Sequence, residues 1–253
     1  MDRIDVALGV LRSLRVPPDD LKPIVDGDRR IIDSMTWILL HGAGDNRDMR
    51  STATLVLKSV IQAADSRVLE QLKPDFFRAV LSLVRDRISQ QATKAALQVL
   101  LHARGWGRNR IKIVEAGGVK EIVELELTTT ELNLGVLSQL CASADGRAEL
   151  VGRAAGITTA SKWSLRVSSL ADDEGVRILS SPCSYSATTE VLQEMMSVRF
   201  CRIRSFQTLM TVFSRYDKRY SVINTQYESE SVGDRTSFDF GSTKIDPIHE
   251  KLR

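Results

Sequence analysis

Cysteine is scarce in this chain, and its three positions suggest no chemistry. Cys141, Cys183 and Cys201 are odd in number, lack CxxC pairing and lie in apolar or irregular surroundings. That argues against a disulfide framework and for a reducing compartment, the cytoplasm first and the nucleus as the alternative. Histidine is equally sparse: His41, His102 and His249 sit in separate segments with neither HxH nor HExxH spacing. No metal site and no general base is expected from them. No apolar stretch approaches the ~20 residues of a membrane span. The Met1 end carries Asp2 and Asp5 and lacks the apolar core of a signal peptide. A formal charge of +3, without a long Lys/Arg run, gives no grip on nucleic acid. Gly105-Trp106-Gly107 has the look of a phosphate loop, but no strand precedes it and no Gly-Lys-Ser/Thr follows. Nothing here calls for a cofactor.

What the chain does have is a repeat. Leu57, Leu97 and Leu137 are 40 residues apart, as are Val60, Leu100 and Leu140. Ile61, Leu101 and Cys141 keep the same interval, and so do Val56, Ala96 and Val136. Within each copy these positions fall on one face of a helix. A looser fourth copy aligns Val176 and Leu179 with Leu137 and Leu140 at a spacing of 39. Short helices with Gly breaks precede the long ones, as at Gly117-Gly118 and again at Gly156. A period near 40, with one short and two longer helices per unit, is the armadillo/HEAT pattern. The expected fold is therefore all-α: an armadillo-repeat α-solenoid winding as a right-handed superhelix, with an irregular C-terminal tail. Its core face includes Cys141, which is read as a small buried apolar group rather than a nucleophile.

Five stretches carry a more specific likeness. WGRNRIKIVEAGGV, DRISQQATKAALQVL, ASADGRAELV, LRVSSLADDEGVRIL and YSATTEVLQEM resemble the armadillo-repeat half of plant U-box E3 ubiquitin ligases. The resemblance covers roughly residues 1–196. It implies that a U-box recruits the ubiquitin-charged E2 while the armadillo repeats present protein substrates, typically in stress and immune signalling. It also implies no catalytic cysteine, because the U-box holds the charged E2 in a reactive geometry.

Two departures qualify it. No U-box motif is present, and Met1 opens inside what resembles the last helix of a family repeat. An E2 is therefore expected as a partner only if a U-box is supplied upstream, and the polypeptide as written is expected not to transfer ubiquitin. After Met196 the composition changes: eight of the 14 Phe, Trp and Tyr residues lie beyond it. Residues 1–196 are read as the armadillo domain and 197–253 as a divergent, largely disordered tail. An altered splice form, a read-through intron or a faulty gene model would produce it; a genuine divergent tail is the alternative. Cut ends should leave Val6, Val10, Leu11 and Leu14, and at the other end Val191, Leu192 and Met195, without a covering repeat.

Partner binding is expected on the concave groove lined by the long helices. Opposite the core face, at ~100° per residue, lie Lys58, Ser59 and Gln62, then Gln98, Val99 and His102, then Ser138, Gln139 and Ala142. These are mostly small or neutral and polar. The regular Trp/Asn arrays with which nuclear-import adaptors hold basic peptides are missing. Arg104, Arg108, Arg110 and Lys112 form the densest basic cluster. It reads as a solvated corner in preference to an acidic-peptide contact, with Trp106 as an inter-repeat anchor. Two functions follow: substrate binding within a U-box ligase, or a non-enzymatic armadillo adaptor that binds the same partners without ubiquitin transfer.

Overall fold

The structure is a computed structural model. It describes residues 3–13, 17–28, 30–42, 47–106, 108–125, 130–153, 156–164, 174–175 and 177–182. All lie in the first of the two units into which the chain divides, Met1–Phe213 and Ser214–Arg253. The tail from 197 onward, the domain boundary placed before it, and Leu14, Val191, Leu192 and Met195 fall outside the described residues.

Among the described residues twelve helices of defined bounds follow one another, residues 177–182 are helical as well, and no strand occurs. Nine of the twelve form three units of three, preceded by a single helix and followed by a pair. The first is α1, Arg3–Ser13, standing alone. Then come α2, Pro18–Gly27, α3, Arg30–His41, and α4, Arg47–Ala63. The next unit is α5, Ser66–Glu70, α6, Pro74–Asp86, and α7, Gln90–Ala103. It is followed by α8, Asn109–Glu115, α9, Gly118–Val123, and α10, Thr130–Leu140. Last are α11, Ala144–Val151, and α12, Gly156–Ser164.

The third helices form one layer, α4 against α7 and α7 against α10, while α3 packs on α6 and α6 on α9. Helix α1 packs on α4, as α4 does on α7, so it occupies the place of a third helix, as the sequence suggested. Its apolar residues Val6, Val10 and Leu11 are exposed, as expected of side chains without a covering repeat. Leu8 is the buried residue, whereas Val6 and Val10 are each about half exposed.

Local sequence sets the boundaries. Asp65, Ser89 and Ser143 cap α5, α7 and α11, accepting from the backbone N–H groups of Val68, Ala92 and Gly146 at 2.9, 3.1 and 3.1 Å. Pro74 opens α6 at a position where its missing N–H costs nothing. The Gly117-Gly118 break is demanded twice over. Gly117 has φ of 85°, and a Cβ on Gly118 would stand 2.7 Å from the Ile113 carbonyl oxygen.

The 40-residue face is the core. Leu57, Leu97, Leu137, Val60, Leu100, Leu140, Ile61 and Cys141 are all buried, and Leu101 alone of the set is half-buried. Each buried Leu, Ile or Val contributes ~1.5–3 kcal/mol relative to exposure. Polar groups bridge units at nearly the same interval. Lys73 Nζ reaches Asp33 at 3.1 Å. Arg50, itself buried, pairs with Asp86 at 2.8 Å and donates to Ser82 at 3.0 Å. Arg85 meets the buried Glu121 at 3.1 Å. In the last described segment, Ser181 donates to the Cys141 carbonyl at 2.9 Å.

Candidate protein-interaction face

The exposed side of the third-helix layer is built from α4, α7 and α10. On α4, Lys58 is half-buried and Gln62 exposed; on α7, Gln98 is half-buried and His102 exposed; on α10, Gln139 is half-buried. Ser59 is half-buried, and Ala142, just past α10, is exposed. Two expected members turn inward. Val99 is 1% exposed and Ser138 7% exposed, so both belong to the packed side.

Helix α7 has third helices on both sides, which narrows its open arc to Gln91, Lys94, Gln98 and His102. On α10 the open arc runs instead through Glu131, Gly135 and Gln139. That is about one residue, roughly 100°, further round the helix. A strict interval of 40 therefore points at Ser138 where Gln139 actually faces out. Lys94 and Gly135 were missed by the sequence reading. The signal was present, since each lies four residues before a recognised member of the face.

The face is uncrowded by charge. Lys58 and Lys94 meet no carboxylate among the described residues, and no aromatic ring joins them. Each glutamine amide offers two donors and an acceptor, as a segment of extended backbone requires.

The basic corner behaves differently from its sequence appearance. Lys112 is not a free cation: its Nζ donates to the Leu72 carbonyl of the preceding unit at 2.6 Å and to Asn109 Oδ1 at 3.2 Å. Arg104 donates to the Leu101 carbonyl; burial lowers its pKa, Glu174 opposes that, and Arg110 adds to it. Trp106 is 40% exposed, which corrects its reading as the inter-repeat anchor. The residue that bridges is Asn109, fully buried, whose Nδ2 donates to the Leu69 carbonyl at 2.7 Å and to the Ala103 carbonyl at 3.0 Å. It ties the first helices of two successive units to the end of α7.

Cys141 is buried, and burial pushes its thiol up to about 12 despite the opposing charge of Arg147. A neutral thiol that far above its usual value is a poor nucleophile at physiological pH. In a Cys183→Ser/Cys201→Ser background, a thiol-directed disulfide reagent at pH 8 should label Cys141 slowly in the folded chain and fast in guanidinium. The same shift has a linkage consequence. The folded state holds the proton more tightly, so this contribution is intact below the unfolded thiol pKa and is lost as pH rises from there through about 12. Among the described residues, no three His, Cys, Asp or Glu side chains gather as a metal would need. No described helix is long and apolar enough to cross a membrane.

Stacked three-helix units at a 40-residue period, tied by Asn109 and its neighbours, define an armadillo-repeat protein with an open third-helix face. The model of the plant U-box protein ARM repeat region matches residues 2–202, and the chain belongs to that family. Its curated relatives include two from Arabidopsis thaliana. One is the E3 ubiquitin-protein ligase PUB23, 39% identical over 204 residues, covering 77% of this chain and 49% of that protein. The other is the E3 ubiquitin-protein ligase PUB22, 34% identical over 205 residues, covering 77% of this chain and 46% of that protein. The chain thus spans about half the length of these relatives. No solved structure matches it.

Proposed function

We propose that this chain is the substrate-binding armadillo region of a plant U-box E3 ubiquitin ligase, acting on other proteins in the cytoplasm or nucleus in stress or immune signalling. The observation that carries the reading is the open layer of third helices, within a family whose named relatives are ubiquitin ligases. Packed helices lie ~8–10 Å apart, and an extended chain advances ~3.3 Å per residue. One unit therefore spans about three residues of an extended segment laid across the layer. Gln62, Gln98 and Gln139 supply backbone-directed amides along that path, with Lys58 and His102 beside them. Recruitment of the E2 is assigned to a U-box, not to these helices.

Binding is the test. Gln98→Ala combined with His102→Ala should weaken partner capture by roughly tenfold or more. The melting temperature should stay within ~2 °C, since neither side chain belongs to the core. Equal capture by the wild type and the double variant would remove this face from consideration. The adaptor reading makes the same binding prediction and parts from this one only at ubiquitin transfer.

A further inference from the structure

Trp37 lies in the middle of α3 and yet is 56% exposed, more than Trp106 at 40%. Its ring stacks on His41 one turn later, with centroids 4.9 Å apart and planes 20° from parallel. His41 Nδ1 donates to the Trp37 carbonyl at 3.0 Å, so the stack is held in place. Together with Leu40 these rings form one wall of a cleft of about 320 Å³. The facing wall is the corner between α5 and α6 of the following unit, with the apolar Leu72 and Phe76 along it. The volume is at the small end for a ligand pocket and suits one bulky side chain.

Charge narrows the occupant further. Asp33, Lys73 and Asp75 line the cleft, with side chains 56%, 65% and 60% exposed. Lys73 pairs with Asp33 at 3.1 Å, while Asp75 pairs with Arg78, which does not line the cleft, at 2.7 Å. Two carboxylates thus face one ammonium inside the cleft, and the lining is net negative. We propose that this cleft docks a short segment of a protein partner, which inserts one bulky apolar side chain beside Trp37 and sets an adjacent Lys or Arg against Asp33 and Asp75. The insertion buries a pre-stacked indole at small ordering cost, and tryptophan is the residue type most often dominant in such contacts. Because its walls come from the second helix of one unit and the first two helices of the next, this surface is separate from the third-helix face.

The test pans the immobilised full chain against phage-displayed random dodecapeptides and remakes the enriched sequences as synthetic peptides. Enriched peptides should join a Phe, Leu, Met or Trp to a neighbouring Lys or Arg. Trp37→Ala should weaken their binding by at least about tenfold. Asp33→Asn with Asp75→Asn should weaken it by about threefold or more and reduce its sensitivity to salt. Gln98→Ala with His102→Ala should leave it unchanged, which separates failure here from failure of the third-helix reading. The ring is exposed, so Trp37→Ala should keep the wild-type circular dichroism spectrum; Leu40→Glu serves as a second disruption of the same wall. Enrichment of acidic peptides, no enrichment, or binding indifferent to both Trp37→Ala and Leu40→Glu would overturn the proposal. A dimer in sedimentation that disappears with Trp37→Ala would overturn it too, giving the cleft to a second copy of the chain.

Discussion

Leu97→Ala should lower the unfolding free energy by ~2–5 kcal/mol, read from the midpoint of urea denaturation. Leu97 is fully buried on α7, the helix packed between α4 and α10. Truncation there removes three carbons from a site walled by several helices, which cannot all collapse into the space. The cost is therefore the lost transfer free energy plus a residual cavity. Gln98→Ala, one residue on and half-buried, should stay within ~0.5 kcal/mol. The contrast between neighbours is the measurement of helical phase. Equal losses at Leu97 and Gln98 would mean that α7 is rotated from the position described here.

Asn109→Leu should cost about 2–4 kcal/mol, although it replaces a polar residue with an apolar one of similar size. The Asn109 side chain is buried and donates to two carbonyls, those of Leu69 and Ala103, while its own oxygen accepts from Lys112. Leucine leaves both carbonyls buried without that donor and takes one acceptor from the Lys112 ammonium. Hydrogen exchange should locate the damage. Protection should fall first in α5 and α8, which the asparagine joins, and later in the interior of α4. A loss spread evenly over the chain would show that Asn109 is not a local tie between units.

The four-position apolar face was legible because burial repeats strictly: Leu57, Leu97 and Leu137 answer the same packing demand in successive units. The Gly117-Gly118 break was legible because only glycine tolerates both the positive φ and the approach of Ile113. Asn109 was not legible. Its role depends on a backbone carbonyl 40 residues away in sequence, and no periodic pattern encodes a single side-chain bridge. The same blindness made Lys112 look like surface charge and Trp106 like an anchor. On the candidate face, Lys58, Gln62, Gln98, His102 and Gln139 were placed by helical phase alone. Ser138 and Val99 were misplaced, because phase says which way a side chain points but not how far neighbouring helices wrap around it. Helical spacing put Val6, Val10 and Leu11 on a face with no covering repeat, and they are exposed; Leu8, which packs on α4, was not singled out.

Selection of proteins for ubiquitin transfer by the third-helix face, as proposed, is tested most directly by joining a plant U-box ahead of Met1. Ubiquitination of chain-bound proteins is then followed by mass spectrometry with E1, E2 and ATP. The fusion should modify both itself and its captured partners. Introducing Gln98→Ala with His102→Ala should lower partner modification by roughly tenfold or more while self-modification continues. Partner ubiquitination that persists at the wild-type level in the double variant, with self-modification unchanged, would contradict it.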